Sequence, residues 1–156
     1  RGRNTFTWEL GLPITLEVEK VKRCGFAATK ATVHAATSAR DTDWFTKLLV
    51  VYPNGVARRL NDGAIRARYA RDPRVATFIP PGTPTAFDID NWGTCILLAA
   101  GERLRLEVSS SSFPKFDPNL NTGGSIADDT VGVVANQTVY HERGRASYVL
   151  LPIIPR

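Results

Sequence analysis

The side chains in this sequence that invite a chemical reading are the serine run Ser109–Ser112, two histidines, His34 and His141, and the carboxylate pair Asp128-Asp129. A serine becomes a nucleophile when a sharp strand-to-helix turn, Gly-x-Ser-x-Gly, exposes its hydroxyl beside a base. No such pentapeptide occurs in the chain, and the serine run leaves a strand-like segment with no helical pattern after it. His34 lies inside an alternating stretch and reads as a structural histidine. His141 follows Val139-Tyr140, precedes the charged turn Glu142-Arg143-Gly144-Arg145, and reads as a surface residue. Neither histidine stands at a spacing that offers it to a serine as general base, so no catalytic residue is expected. Asp128-Asp129, with Asn121 and Asp117, has the oxygen chemistry of a calcium site but no recognised ligand spacing. It reads as a solvated turn, and no metal is expected. Phosphate-loop and dinucleotide fingerprints are also missing, so no cofactor is expected. Asn136-Gln137-Thr138 has the form of a glycosylation acceptor, but no secretory signal accompanies it.

The elements that must position these residues are strands. Period-two or apolar segments recur at Ile14–Val21, Ala27–Thr37, Trp44–Tyr52, Val56–Leu60, Ala64–Tyr69, Thr85–Ile89, Ile96–Ala99, Arg103–Ser109, Val131–Val134 and Tyr148–Ile154. In Arg103–Val108, for example, Leu104, Leu106 and Val108 alternate with charged residues, one side inward and one outward. Tyr52-Pro53-Asn54-Gly55 predicts a hairpin turn, Asn61-Asp62-Gly63 another, and Ile79-Pro80-Pro81-Gly82 a rigid corner. Many short strands with Gly/Pro punctuation and no helical period predict an all-β chain, a jelly-roll β-sandwich, with residues 1–156 as one domain.

Composition narrows the partners. The 156 residues are 43% hydrophobic and 22% charged, an ordinary globular balance. The formal net charge of +5 raises nucleic acid as a partner. However, Arg58, Arg59, Arg66, Arg68, Arg71 and Arg74 are interspersed with Asp62 and Asp72, and Arg66 and Arg68 alternate with Ile65, Ala67 and Tyr69. They read as a solvated sheet face, and no nucleic acid is expected. No apolar run approaches the ~20 residues that span a bilayer, so no membrane partner is expected, and nothing assigns a location. Cys24 and Cys95 make no metal set; they read as small buried hydrophobes, with a single bridge between them as the other arrangement. The chain has no methionine and opens Arg1-Gly2-Arg3-Asn4, which reads as a piece of a larger protein.

The loop Ser109–Gly124 holds two phenylalanines between prolines and ends in Gly-Gly. Large rings on a rigid loop usually dock against something. Phe113, Pro114, Phe116, Asp117, Asn119 and Asn121 are therefore the candidate interface residues, the polar ones satisfying backbone groups through local turns. The alternative is that both rings plug the end of the sandwich itself.

Several blocks carry a resemblance. Asp41-Thr42-Asp43-Trp44-Phe45-Thr46-Lys47-Leu48, Val51-Tyr52-Pro53-Asn54-Gly55 and Asp62–Tyr69 are followed by Gly101–Leu106, the Ser109–Gly124 loop, Gln137–His141 and Leu150–Pro155. In this order they resemble the C-terminal domain of the X-Pro dipeptidyl-peptidase and cocaine-esterase-like (CocE/NonD) serine hydrolases. The resemblance covers residues 31–156. Ser112, Pro118 and Glu102 stand where that family commonly has Asn, Arg and His. What it implies is a galactose-binding-like jelly roll without catalytic residues, packed on an α/β-hydrolase domain of the same polypeptide that supplies a Ser-His-Asp triad. The missing hydrolase domain would then be the partner of Phe113 and Phe116, and the candidate interface residues would be cleft-edge residues. A carbohydrate-binding module is the other reading, with Trp92, in the turn Asp90–Gly93, as the stacking platform.

Overall fold

A computed structural model describes residues 5–9 and 27–151, and within it the backbone alone at residues 5–9, 27 and 28. Ten strands follow in order: β1 (Thr5–Glu9), β2 (Ala27–Thr37), β3 (Asp43–Val51), β4 (Ala57–Arg66), β5 (Thr85–Thr94), β6 (Arg103–Ser109), β7 (Gln137–Val139), β8 (His141–Glu142), β9 (Arg145–Ala146) and β10 (Tyr148–Leu150). The described residues form no α-helix, only a single 3-10 turn at Ala67–Tyr69. One sheet has the order β1-β6-β3-β4 and a second β10-β2-β5, with β7 pairing β2 beyond β10, while β8 and β9 form a small two-stranded sheet; all pairs are antiparallel.

The core lies between the two sheets because alternate residues of each strand point there. Ala31, Val33 and Ala35 of β2 and Phe87 and Ile89 of β5 face Trp44 of β3 and Leu106 and Val108 of β6. The small alanines of β2 leave room for the two large rings, whose centroids lie 5.9 Å apart. Inside this layer the buried Thr46 hydroxyl donates to Asn91 Oδ1 at 2.5 Å, joining the two sheets by a polar bond shielded from water. The chain is thus the all-β sandwich that its alternation predicts.

β2 and β6 occupy the expected spans, and the hairpin after β3 closes as its Pro-Asn-Gly chemistry requires, with Gly55 N–H donating to the Tyr52 carbonyl at 2.9 Å and Gly55 at φ +84°. Other segments differ. Val56–Leu60 and Ala64–Tyr69 are not two strands with a turn at Asn61-Asp62-Gly63; β4 runs straight through that tripeptide. A Cβ at Gly63 would lie 2.7 Å from Ile89 Cγ2 and would collide with Asn91 Oδ1 and the Asp90 carbonyl. The glycine is there for close approach of β4 to β5, not for turning. Asp90–Gly93 is likewise no turn, because β5 continues to Thr94 through a bulge opposite Ala28–Lys30. Ile96–Ala99 and Val131–Val134 form no strands, Ile14–Val21 lies outside the described residues, and the last strand stops at Leu150.

Gly63→Ala should therefore destabilise the chain by about 1–3 kcal/mol in urea unfolding, since backbone rather than a flexible side chain must yield.

Candidate functional site

The Ser109–Gly124 loop does not plug an end of the sandwich. It lies over the outer face of the first sheet, on the side of β3 that points away from the core. β3 is consequently buried on nearly its whole length and both faces, Lys47 being the one half-buried residue. Phe45 is 4% exposed because the Phe116 ring covers it at a centroid distance of 5.3 Å. Phe116 itself remains 38% exposed, and Phe113, three residues earlier, 69% exposed. The structure thus separates the two phenylalanines: one covers its own sheet and the other faces outward.

Charges fasten the loop. Asp41 and Asp43, 1% and 4% exposed, bring two carboxylates under it, and such groups need cations and donors to remain ionised. Arg66 grips Asp43 with Nε–Oδ1 at 2.8 Å and Nη2–Oδ2 at 3.1 Å. Arg68 reaches Asp41 through Nε at 2.8 Å and its own backbone N–H at 3.2 Å, because the 3-10 turn at Ala67–Tyr69 swings it off the strand. Asn119 completes the cluster, its Nδ2 donating to both Asp41 Oδ2 and Asp43 Oδ1 at 2.9 Å. The hydrogen bond that Arg66 donates to Asp43 raises the Arg66 pKa above its ordinary value, so this cation persists. Arg68 also donates from Nη1 and Nη2 to the Gly124 carbonyl at 3.2 Å, and its guanidinium lies 5.2 Å from the Phe78 ring centroid. At the near end, Lys115 Nζ meets Asp62 at 2.7 Å.

Arg66 and Arg68 are therefore not part of a solvated sheet face: they neutralise buried carboxylates, while Arg58, Arg59, Arg71 and Arg74 are exposed. This cluster was missed by the alternation pattern, which placed both arginines on a strand. The Asp-x-Asp at 41–43 before an apolar run was the available signal.

The remaining candidates fall as follows. Asn119 Oδ1 accepts from Asn121 N–H at 2.9 Å, and Asn121, at φ +64°, donates from Nδ2 to the Val133 carbonyl at 3.0 Å. Asp117 is exposed beside Phe116, and Pro114 is exposed beside Phe113. Asp128 and Asp129 form no cluster with Asp117 and Asn121; Asp129 accepts instead from the Thr122 hydroxyl, and no metal-ligating group of three occurs among the described residues. Ser109 is buried at the end of β6 and donates to the Ser111 carbonyl at 3.0 Å. His34 belongs to β2, where its N–H donates to Ser147 Oγ at 3.0 Å. Cys95 is exposed and disulfide-bonded rather than a small buried hydrophobe, and Cys24 lies outside the described residues. Trp92 stands in the β5 bulge at φ +63° and 72% exposed; its N–H is held by Asp90 Oδ1 at 2.8 Å.

A two-sheet sandwich whose bonded side chains build a surface rather than a reaction centre defines the class, and comparison with known proteins gives the family. A family model described as the X-Pro dipeptidyl-peptidase C-terminal non-catalytic domain matches residues 27–150, and the chain belongs to that family. It is 38% identical over 128 residues to a cocaine esterase from Rhodococcus sp., covering 81% of this chain and 22% of that enzyme. An α-amino acid ester hydrolase structure superposes with a TM-score of 0.74 at 25% identity, over 93% of this chain and 24% of the other. An aminopeptidase from a marine sediment archaeon, Thaumarchaeota archaeon, shares the fold with a TM-score of 0.75 at 24% identity, over 93% and 25% of the two chains. The chain thus spans about a quarter of the length of these relatives. Nothing in these comparisons supports the carbohydrate-binding reading of Trp92.

The two phenylalanines should respond differently to truncation. Phe116→Ala uncovers Phe45 and should lower unfolding stability by about 1–2 kcal/mol. Phe113→Ala should stay within about 0.5 kcal/mol of the parent, both variants being read by thermal melts.

Proposed function

We propose that this chain is the C-terminal part of a larger serine hydrolase acting on esters or amides. In this reading an α/β-hydrolase domain of the same polypeptide carries the triad, and the sandwich stabilises that domain and borders its cleft. The observation that carries the reading is the contrast within one loop. Lys115, Phe116, Asn119 and Gly124 are tied to the sheet or to Arg68, yet Phe113 between them and the serine run is left 69% exposed. A large ring held outward on a loop that is otherwise tied down supports a second surface that covers it. The chain's span of about a quarter of its relatives leaves room for that surface. Phe113, Pro114, Phe116 and Asp117 would form the docking edge, while Asn119 and Asn121 hold its shape from within.

The test compares the chain alone with the longer polypeptide that contains it. The isolated chain should not hydrolyse p-nitrophenyl acetate above a heat-denatured control. The longer polypeptide should hydrolyse it and lose that activity to a serine-directed phosphonate. Turnover by the isolated chain that is abolished by Ser→Ala changes within Ser109–Ser112 would contradict the proposal.

A further inference from the structure

Between the outer face of the first sheet and the loop lies an open slot of about 380 Å³. Its apolar wall is made by Phe45, Ala64, Phe116 and Ile126, and its charged groups are Asp43, Arg66 and Asp117. A slot of this size has room for a long side chain.

The charges are not equivalent. Asp43 already accepts two bonds from Arg66 and one from Asn119, so its charge is answered. Among the described residues, Asp117 accepts no hydrogen bond and pairs with no cation. Lys115, two residues away, is committed to Asp62 at 2.7 Å. The slot therefore carries one unanswered negative charge on a molecule of formal charge +5. Apolar walls with a carboxylate at the mouth suit a side chain whose stem is hydrocarbon and whose end is a cation. Phe116 already shows this affinity, with the Lys115 ammonium 5.3 Å from its ring centroid.

We propose that this slot receives the side chain of a lysine or arginine presented by the hydrolase domain, with the stem against Phe45, Phe116 and Ile126 and the cation on Asp117. This deepens the function proposed above and rests on it. The exposed Phe113 precedes Asp117 by four residues on the same loop, so one docking event would fill the slot and cover that ring.

Two measurements test this. The first titrates the 156-residue chain with n-butylammonium, and separately with 1-butanol, following amide chemical shifts. The ammonium should move Ala64, Arg66, Phe116, Asp117 and Ile126 saturably. Asp117→Asn should weaken its binding by about tenfold while leaving the weak effect of the alcohol unchanged. Shifts that do not saturate, that map elsewhere, or that persist in Asp117→Asn overturn the slot. The second introduces Asp117→Lys into the longer polypeptide and into the isolated chain. The melting midpoint of the former should fall by about 2–4 °C while that of the latter holds. Equal midpoints in the longer polypeptide overturn the docking role. If the longer polypeptide contains no hydrolase domain, it is the function proposed above that has failed, and the ammonium titration still reads the slot by itself.

Discussion

Two carboxylates placed where water cannot reach them set the terms for the rest of this domain. Asp41 and Asp43 sit at the entry to β3 under the loop that follows β6, and ionised groups in that position must be answered by cations and donors. The answers come from different parts of the chain: Arg66 at the end of β4, Arg68 from the 3-10 turn beyond it, and Asn119 from the loop itself. Because Asn119 donates to both carboxylates at once, the loop has one well-defined seat. That seat lets Phe116 cover Phe45, and it lets Arg68 hold the Gly124 carbonyl at the far end. The long loop thus acts as a third layer on the sandwich.

The sheet core was largely legible in the sequence, and the reason is local. β2 and β6 alternate cleanly, so a period of two locates them without reference to anything distant. β4 was read as two strands because Asn61-Asp62-Gly63 carries turn chemistry. What decides its conformation is β5, which passes so near that only glycine fits at position 63. Arg66 and Arg68 have the spacing of one exposed strand face, but a turn begins at Ala67 and separates them. The charge cluster depends on residues as distant in sequence as Asp41 and Asn119, which no local pattern connects. The near-continuous apolar run of β3 did hold a clue, since a strand buried on both faces loses its alternation.

The same physics suits a non-catalytic domain. Its buried Asp41 and Asp43 are matched internally, the Ser109 hydroxyl closes a turn, and the His34 backbone is bonded within its strand's surroundings. Membership of a non-catalytic C-terminal domain family agrees with this. What the loop leaves unspent is a ring, Phe113, and a carboxylate, Asp117, on a surface whose shape is already fixed. A preorganised edge loses little conformational entropy on docking.

Amide hydrogen exchange, compared between the isolated chain and the longer polypeptide, tests this account most directly. Residues 112–118 should gain protection in the longer polypeptide, while β2, β5 and β6 exchange equally slowly in both. Identical exchange at 112–118 in the two would contradict the assignment of this loop as the docking edge.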